Sequence, residues 1–152
     1  MAYFSQEDKK KVAPKIKAVL KKYGLKGSVA VHNHSTLVVN IKEGSLDLCG
    51  VELKCRLADP RFLLLNDSEE VRDAHKRNVE KPTYIQVNRY HASERCRRVG
   101  EEKIAKFYEE LNEATMGAGW FDKSDIQTDY FHTAYFIDIN VGKWNKPYNF
   151  VK

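Results

Sequence analysis

A chain of 152 residues with 42% hydrophobic and 31% charged residues has the composition of one folded domain, and excludes a disordered tail. No stretch reaches the roughly 20 apolar residues of a membrane span, and MAYFSQEDKKK lacks the apolar run of a signal peptide, so a cytoplasmic protein without a membrane partner is expected. The net charge of +5 is concentrated: Met1 to Gly27 holds eight lysines against Glu7 and Asp8, leaving the remainder slightly acidic.

Ser5 followed by Asp8 predicts a helix N-cap with a carboxylate at the positive end of the helix dipole. Val12, Ile16, Val19, Leu20 and Tyr23 then recur at helical spacing, with lysines around the rest and Gly24 as the left-handed stop. Pro14 lies inside this pattern and predicts a kink or a broken first turn. Val29, Val31, Leu37, Val39 and Ile41 alternate with smaller or polar residues around HNHST, which reads as a hairpin. Val51, Leu53, Cys55 and Leu57 alternate with Glu52, Lys54 and Arg56, and predict a third strand.

Ser68 opens SEEVRDAHKRNVE, whose early acids favour a peripheral helix. Thr83 to Tyr90 alternates as a strand, and Ile104, Phe107, Tyr108, Leu111 and Ala114 share one face of a strong helix that Gly117 or Gly119 ends. Tyr135, Ile137, Ile139 and Val141 alternate as a last strand. About five strands and three helices, joined by hairpins and with half-polar strands, predict an α+β domain: an antiparallel sheet with helices mainly on one face. Cys49, Cys55 and Cys96 form no CxxC pair and read as free buried thiols. The two halves also echo each other, KIKAVLKK and LVVNIKEG against KIAKFYEEL and YFIDINVG.

The segments KKVAPKIKAVLKKYGLKGSVAVHNHSTLVVNIKEGSLD, YIQVNRY and SDIQTDYFHTAYFIDINVGKWNKPY resemble a family of short uncharacterised proteins of large tailed bacteriophages. More distantly they are similar to a domain associated with large polyvalent proteins of phages and mobile elements. The likeness covers the first third and the last half, and leaves 49–82 as an inserted elaboration. The resemblance implies a phage origin and an infected bacterial cell. It transfers no activity and no catalytic residue.

Two motifs have the form His-x-Ser/Thr: His34 with Thr36, and His91 with Ser93. A two-histidine phosphoesterase uses one imidazole as base and one as acid, with the hydroxyls holding phosphate. His34 falls in a hairpin turn and His91 just after a strand, however, which is not the equivalent placement such an enzyme needs. His32 and His34 on an extended segment face one way and would need Cys49 or Cys55 to complete a metal set. Asp122, Asp125 and Asp129 lack the glycine and terminal glutamate of a calcium loop. No metal or cofactor is expected.

Basic residues carry the stronger signal. Lys10, Lys17 and Lys21 mark the first helix, Arg89, Arg95, Arg97 and Arg98 surround His91, and Lys143 and Trp144 interleave charge with aromatic surface. Such mixtures hold phosphates and stack bases. The expectation is a non-enzymatic phage accessory protein, a host-takeover or counter-defence factor. Its partner is a host or phage protein of defence or nucleic-acid handling, or an anionic ligand such as nucleic acid or nucleotide. A nucleotide phosphoesterase and a virion structural or assembly component are the alternatives.

Overall fold

The computed structural model describes residues 3–58, 81–120 and 134–151. Helix α1 (Gln6–Lys22) begins as its sequence dictates: the Ser5 side chain accepts from the Asp8 amide and the Asp8 carboxylate accepts from the Ser5 amide, both at 3.0 Å. It runs continuously through Pro14, so the expected break is absent. The buried stripe of Val12, Ile16 and Leu20 holds the helix to its neighbours on both sides of the proline. Gly24 at φ +70° ends it in the left-handed conformation.

Strands β1 (Leu25–His32) and β2 (Thr36–Gly44) form the expected antiparallel hairpin, turned by Asn33 and His34 at φ 51° and 56°. Residues Leu48–Leu57, expected as a strand in part, are instead helix α2. Val51 and Cys55 are four apart and Leu48 precedes Val51 by three, so the buried set obeys the helical period as well as the strand one. What decides between them is the cap, in which the Asp47 side chain accepts from the Gly50 amide at 3.1 Å. The Glu52–Arg56 ion pair one turn apart adds to it.

The strand expected over Thr83–Tyr90 is shortened to β3 (Ile85–Val87). It is followed by a short helix the sequence reading passed over, α3 (Ala92–Arg98), and by the strong helix α4 (Glu102–Thr115). Strand β4 (Phe136–Val141) and the two-residue β5 (Asn149–Phe150) complete an α+β architecture of four helices and five strands among the described residues. The helix expected from Ser68, most of the 49–82 elaboration and Asp122, Asp125 and Asp129 lie outside the described residues.

The sheet runs β1-β2-β4-β3, with β5 continuing alongside the end of β2. Both flanking pairs are antiparallel, and the central pair β2/β4 is parallel, in register from Thr36 opposite Phe136 to Ile41 opposite Val141. The strands that echo each other in sequence are therefore side by side. Leu37, Val39, Ile41, Ile139, Val141 and Ile85 face the helices and share one core with Phe4, Ile16, Phe107 and Leu111. Rings interlock there: Phe4 lies 4.6 Å from Tyr135, and Phe107 lies 5.2 Å from Tyr23.

Candidate functional site: the polar face of the sheet

Because side chains alternate along a strand, burying the odd positions of β2 and β4 commits the even positions to the other face. Register then sets them in rows. Ser28, Asn40, Asn140 and Gln86 occupy directly opposed positions across β1, β2, β4 and β3. The next rows hold Ala30, Val38 and Asp138, then His32, Thr36 and Phe136. These residues are half-buried or exposed, whereas Val29, Leu37, Val39, Ile41, Ile139 and Val141 between them are buried. In the first row Asn140 Nδ2 donates to Asn40 Oδ1 at 3.3 Å.

Two clefts open along this face. One, of about 360 Å³, is lined by Asn40, Asn140, Gln86, Tyr84, Lys143 and Trp144 among others. Trp144 is 78% exposed and Tyr84 48% exposed. The indole is held out by construction. Lys143 and Lys146 exchange backbone hydrogen bonds of 2.8 and 3.1 Å and close a tight turn with Trp144 and Asn145 at its tip. Gly142 at φ +67° enters that turn, where a Cβ would lie 2.5 Å from the Tyr148 nitrogen. Tyr148 anchors the segment beyond it, its hydroxyl donating to the Leu46 carbonyl at 2.7 Å. Trp144 thus rides a fixed frame and contributes little to the core.

The second cleft, of about 510 Å³, sits where β2 and β4 begin and β3 ends, lined by Thr36, Asp138, Phe136, Arg89, Tyr90 and Trp120 among others. Phe136 is 53% and Tyr90 65% exposed. The Arg89 guanidinium lies 4.3 Å from the Tyr90 ring centroid and 4.5 Å from that of Trp120. It donates to Asn112 Oδ1 at 3.0 Å and to the Tyr90 hydroxyl at 2.8 Å. Trp120 is itself pinned, its indole N–H donating to the Tyr135 carbonyl at 2.8 Å. These bonds leave a positive charge fixed at the cleft without a carboxylate partner among the described residues.

The other arginines of the sequence cluster are spent on ion pairs. Arg95 grips both oxygens of Glu52 at 3.1 and 3.2 Å, Arg97 pairs with Glu102 at 3.0 Å and also with Glu109, and Arg98 meets Glu94 at 2.7 Å. They stitch α2, α3 and α4 together. Lys10, Lys17 and Lys21 are exposed on α1 and make no ion pair among the described residues, so that helix keeps its cationic field.

His34 sits in the hairpin turn, and its carbonyl accepts from the Phe4 amide at 2.7 Å. His91 caps α3 without a side-chain bond, and Ser93 lies half-buried in that helix's first turn. Thr36 lines the second cleft, while neither His34 nor His91 lines it. His32 and His34 are exposed at the hairpin end, whereas Cys49 and Cys55 are buried in α2, and among the described residues no three histidine, cysteine or carboxylate side chains gather as a metal set. Burial pushes the Cys49 thiol up, and Cys96 is raised by its hydrogen bond with Cys55 and then by burial, while that same bond lowers Cys55.

Of the residues expected from sequence, Arg89, Lys143, Trp144 and Thr36 come to this face. Tyr84, Gln86, Tyr90, Trp120, Phe136 and the Asn40–Asn140 pair were not singled out. The echo LVVNIKEG against YFIDINVG sets Asn40 opposite Asp138, two residues away from the strand register that pairs Asn40 with Asn140, so it gave no signal for the amide pair. No family model matches the chain, and no curated protein or solved structure matches it either.

Proposed function

We propose that this protein works by binding, and that its ligand is single-stranded nucleic acid laid along the face of the sheet that no described helix covers. The observation that carries the reading is the set of exposed rings, Trp144 and Tyr84 at one cleft and Phe136 and Tyr90 at the other, with the amide row between them. Unpaired bases stack on exposed rings, and their edges take hydrogen bonds that a duplex hides. Lys143 and Arg89 supply positive charge beside each cleft, and the lysines of α1 add a field that speeds the encounter. Asp138, in the middle of the face, suits the amino groups of bases and disfavours phosphate, so the bases point inward and the backbone outward.

The resemblance to phage proteins supports an infected bacterial cell as the proposed setting, where a host-takeover or counter-defence factor would sequester nucleic acid or a nucleotide signal from host machinery. Fluorescence anisotropy with short labelled single-stranded and duplex oligonucleotides tests the reading. Single strands should bind more tightly, with affinity falling as salt rises and with quenching of tryptophan emission. Equal binding of duplex, or no binding of single strands even at low salt, overturns it. The same samples belong on a denaturing gel, since shortening of the oligonucleotide would favour turnover by His34 and His91 instead.

A further inference from the structure

The hydrogen bond between Asn140 and Asn40 consumes half of each amide and thereby orients both. An asparagine amide has two donor hydrogens and one acceptor oxygen, and in isolation it can flip to exchange them. With Asn140 Nδ2 donating to Asn40 Oδ1, the flip of either side chain breaks the bond. What remains is the Asn40 NH₂ and, on Asn140, the carbonyl oxygen and one N–H, none with a further side-chain partner among the described residues. They belong to adjacent strands, about 4.8 Å apart, and line the same cleft as Gln86 and Trp144. A donor beside an acceptor, next to a ring, is the complement of the Watson–Crick edge of an unpaired nucleobase, which in every base sets a donor beside an acceptor.

We propose that this cleft is a base-reading site: one unpaired nucleobase stacks on Trp144 while its hydrogen-bonding edge meets the oriented Asn40–Asn140 pair, with Gln86 as a third contact. This rests on the single-strand reading and assigns the division of labour within it. Trp144 supplies affinity that is the same for every base, because every base has a flat face. The amides supply discrimination, because a mismatched edge leaves a buried donor or acceptor unsatisfied.

The test compares homopolymeric single-stranded oligonucleotides of the four bases, and one of abasic units, on the whole protein and four variants. Trp144→Ala should weaken all four bases by about tenfold and leave their ranking unchanged. Asn40→Ala and Asn140→Ala should instead compress the spread between best and worst base by about tenfold. The abasic strand should bind equally to all. Gln86→Ala, on the exposed edge strand, gives a version of the amide test that leaves the sheet centre intact if the asparagine variants unfold. If single strands bind but the amide variants keep the same base preference, the base-reading site is overturned while the broader reading stands. If no single strand binds, that broader reading falls first.

Discussion

The two faces of the sheet are built from the same six-residue stretches of β2 and β4, yet they have opposite chemistry. On one, Leu37, Val39, Ile41, Ile139 and Val141 are sealed under α1 and α4. On the other, Asn40, Asp138, Asn140 and Phe136 meet solvent between two clefts. On the proposed reading, stability and recognition fall to alternate residues of one strand. Substitutions should separate cleanly: those at odd positions and in the helices change unfolding, and those at even positions change binding.

The largest test of that separation is Phe107→Ala. Phe107 is fully buried between Tyr23 and Tyr108, and its loss should cost about 3–5 kcal/mol in denaturant unfolding. Next, Gly142→Ala should cost about 1–3 kcal/mol, since it forces a left-handed backbone on a Cβ that collides with the Tyr148 backbone. It sharpens the comparison, because the same substitution should also misplace Trp144 and weaken oligonucleotide binding. Ser5→Ala removes one half of the capping box and should cost about 1 kcal/mol with no change in binding. Lys10→Glu, Lys17→Glu and Lys21→Glu together, and Trp144→Ala alone, should each shift stability by no more than about 0.5 kcal/mol. The triple charge reversal should nevertheless lower association rates and flatten their salt dependence.

The smallest effect is on pH. The Tyr23 hydroxyl donates to the Glu110 carboxylate, and that bond, helped by burial and by the nearby negative charge, raises its pKa from 10.0 to about 12. A raised value in the folded state means the contribution is complete below the unfolded value and is lost as pH climbs from about 10 to about 12. Melting temperature should fall a little further over that window in the wild type than in Tyr23→Phe.

Local signals were legible wherever one period explained the pattern. The α1 stripe with its cap, the HNHS hairpin, the Phe107 helix and the Ile139–Val141 strand all formed where periodicity and punctuation agreed. Val51–Leu57 misled because seven residues that alternate also place Val51 and Cys55 one helical turn apart, and the decisive Asp47 cap stands outside the alternating stretch. The arginine cluster misled for another reason. Arg95 and Arg97 are paired with Glu52, Glu102 and Glu109, and Arg98 with Glu94, which leaves Arg89 alone of the four without a carboxylate among the described residues. The approach of Glu52 is a tertiary fact. The amide pair was invisible for the same reason in reverse, since nothing local says that Asn40 and Asn140 will lie in one register.

That register carries a consequence for how the chain folds. The central strands meet across 100 positions of sequence, whereas α1 and the β1/β2 hairpin are assembled from near neighbours. Contacts this distant are slow to form, because the intervening segment must lose its freedom before the contact rewards it. On a ribosome, the first helix and hairpin are therefore expected to collapse early and wait, with the flank of β2 unpaired, until Phe136 to Val141 has emerged. Asn40 acquires its partner only after 100 further positions have been made, so the amide row closes later than the hairpin and reports that the two central strands have met.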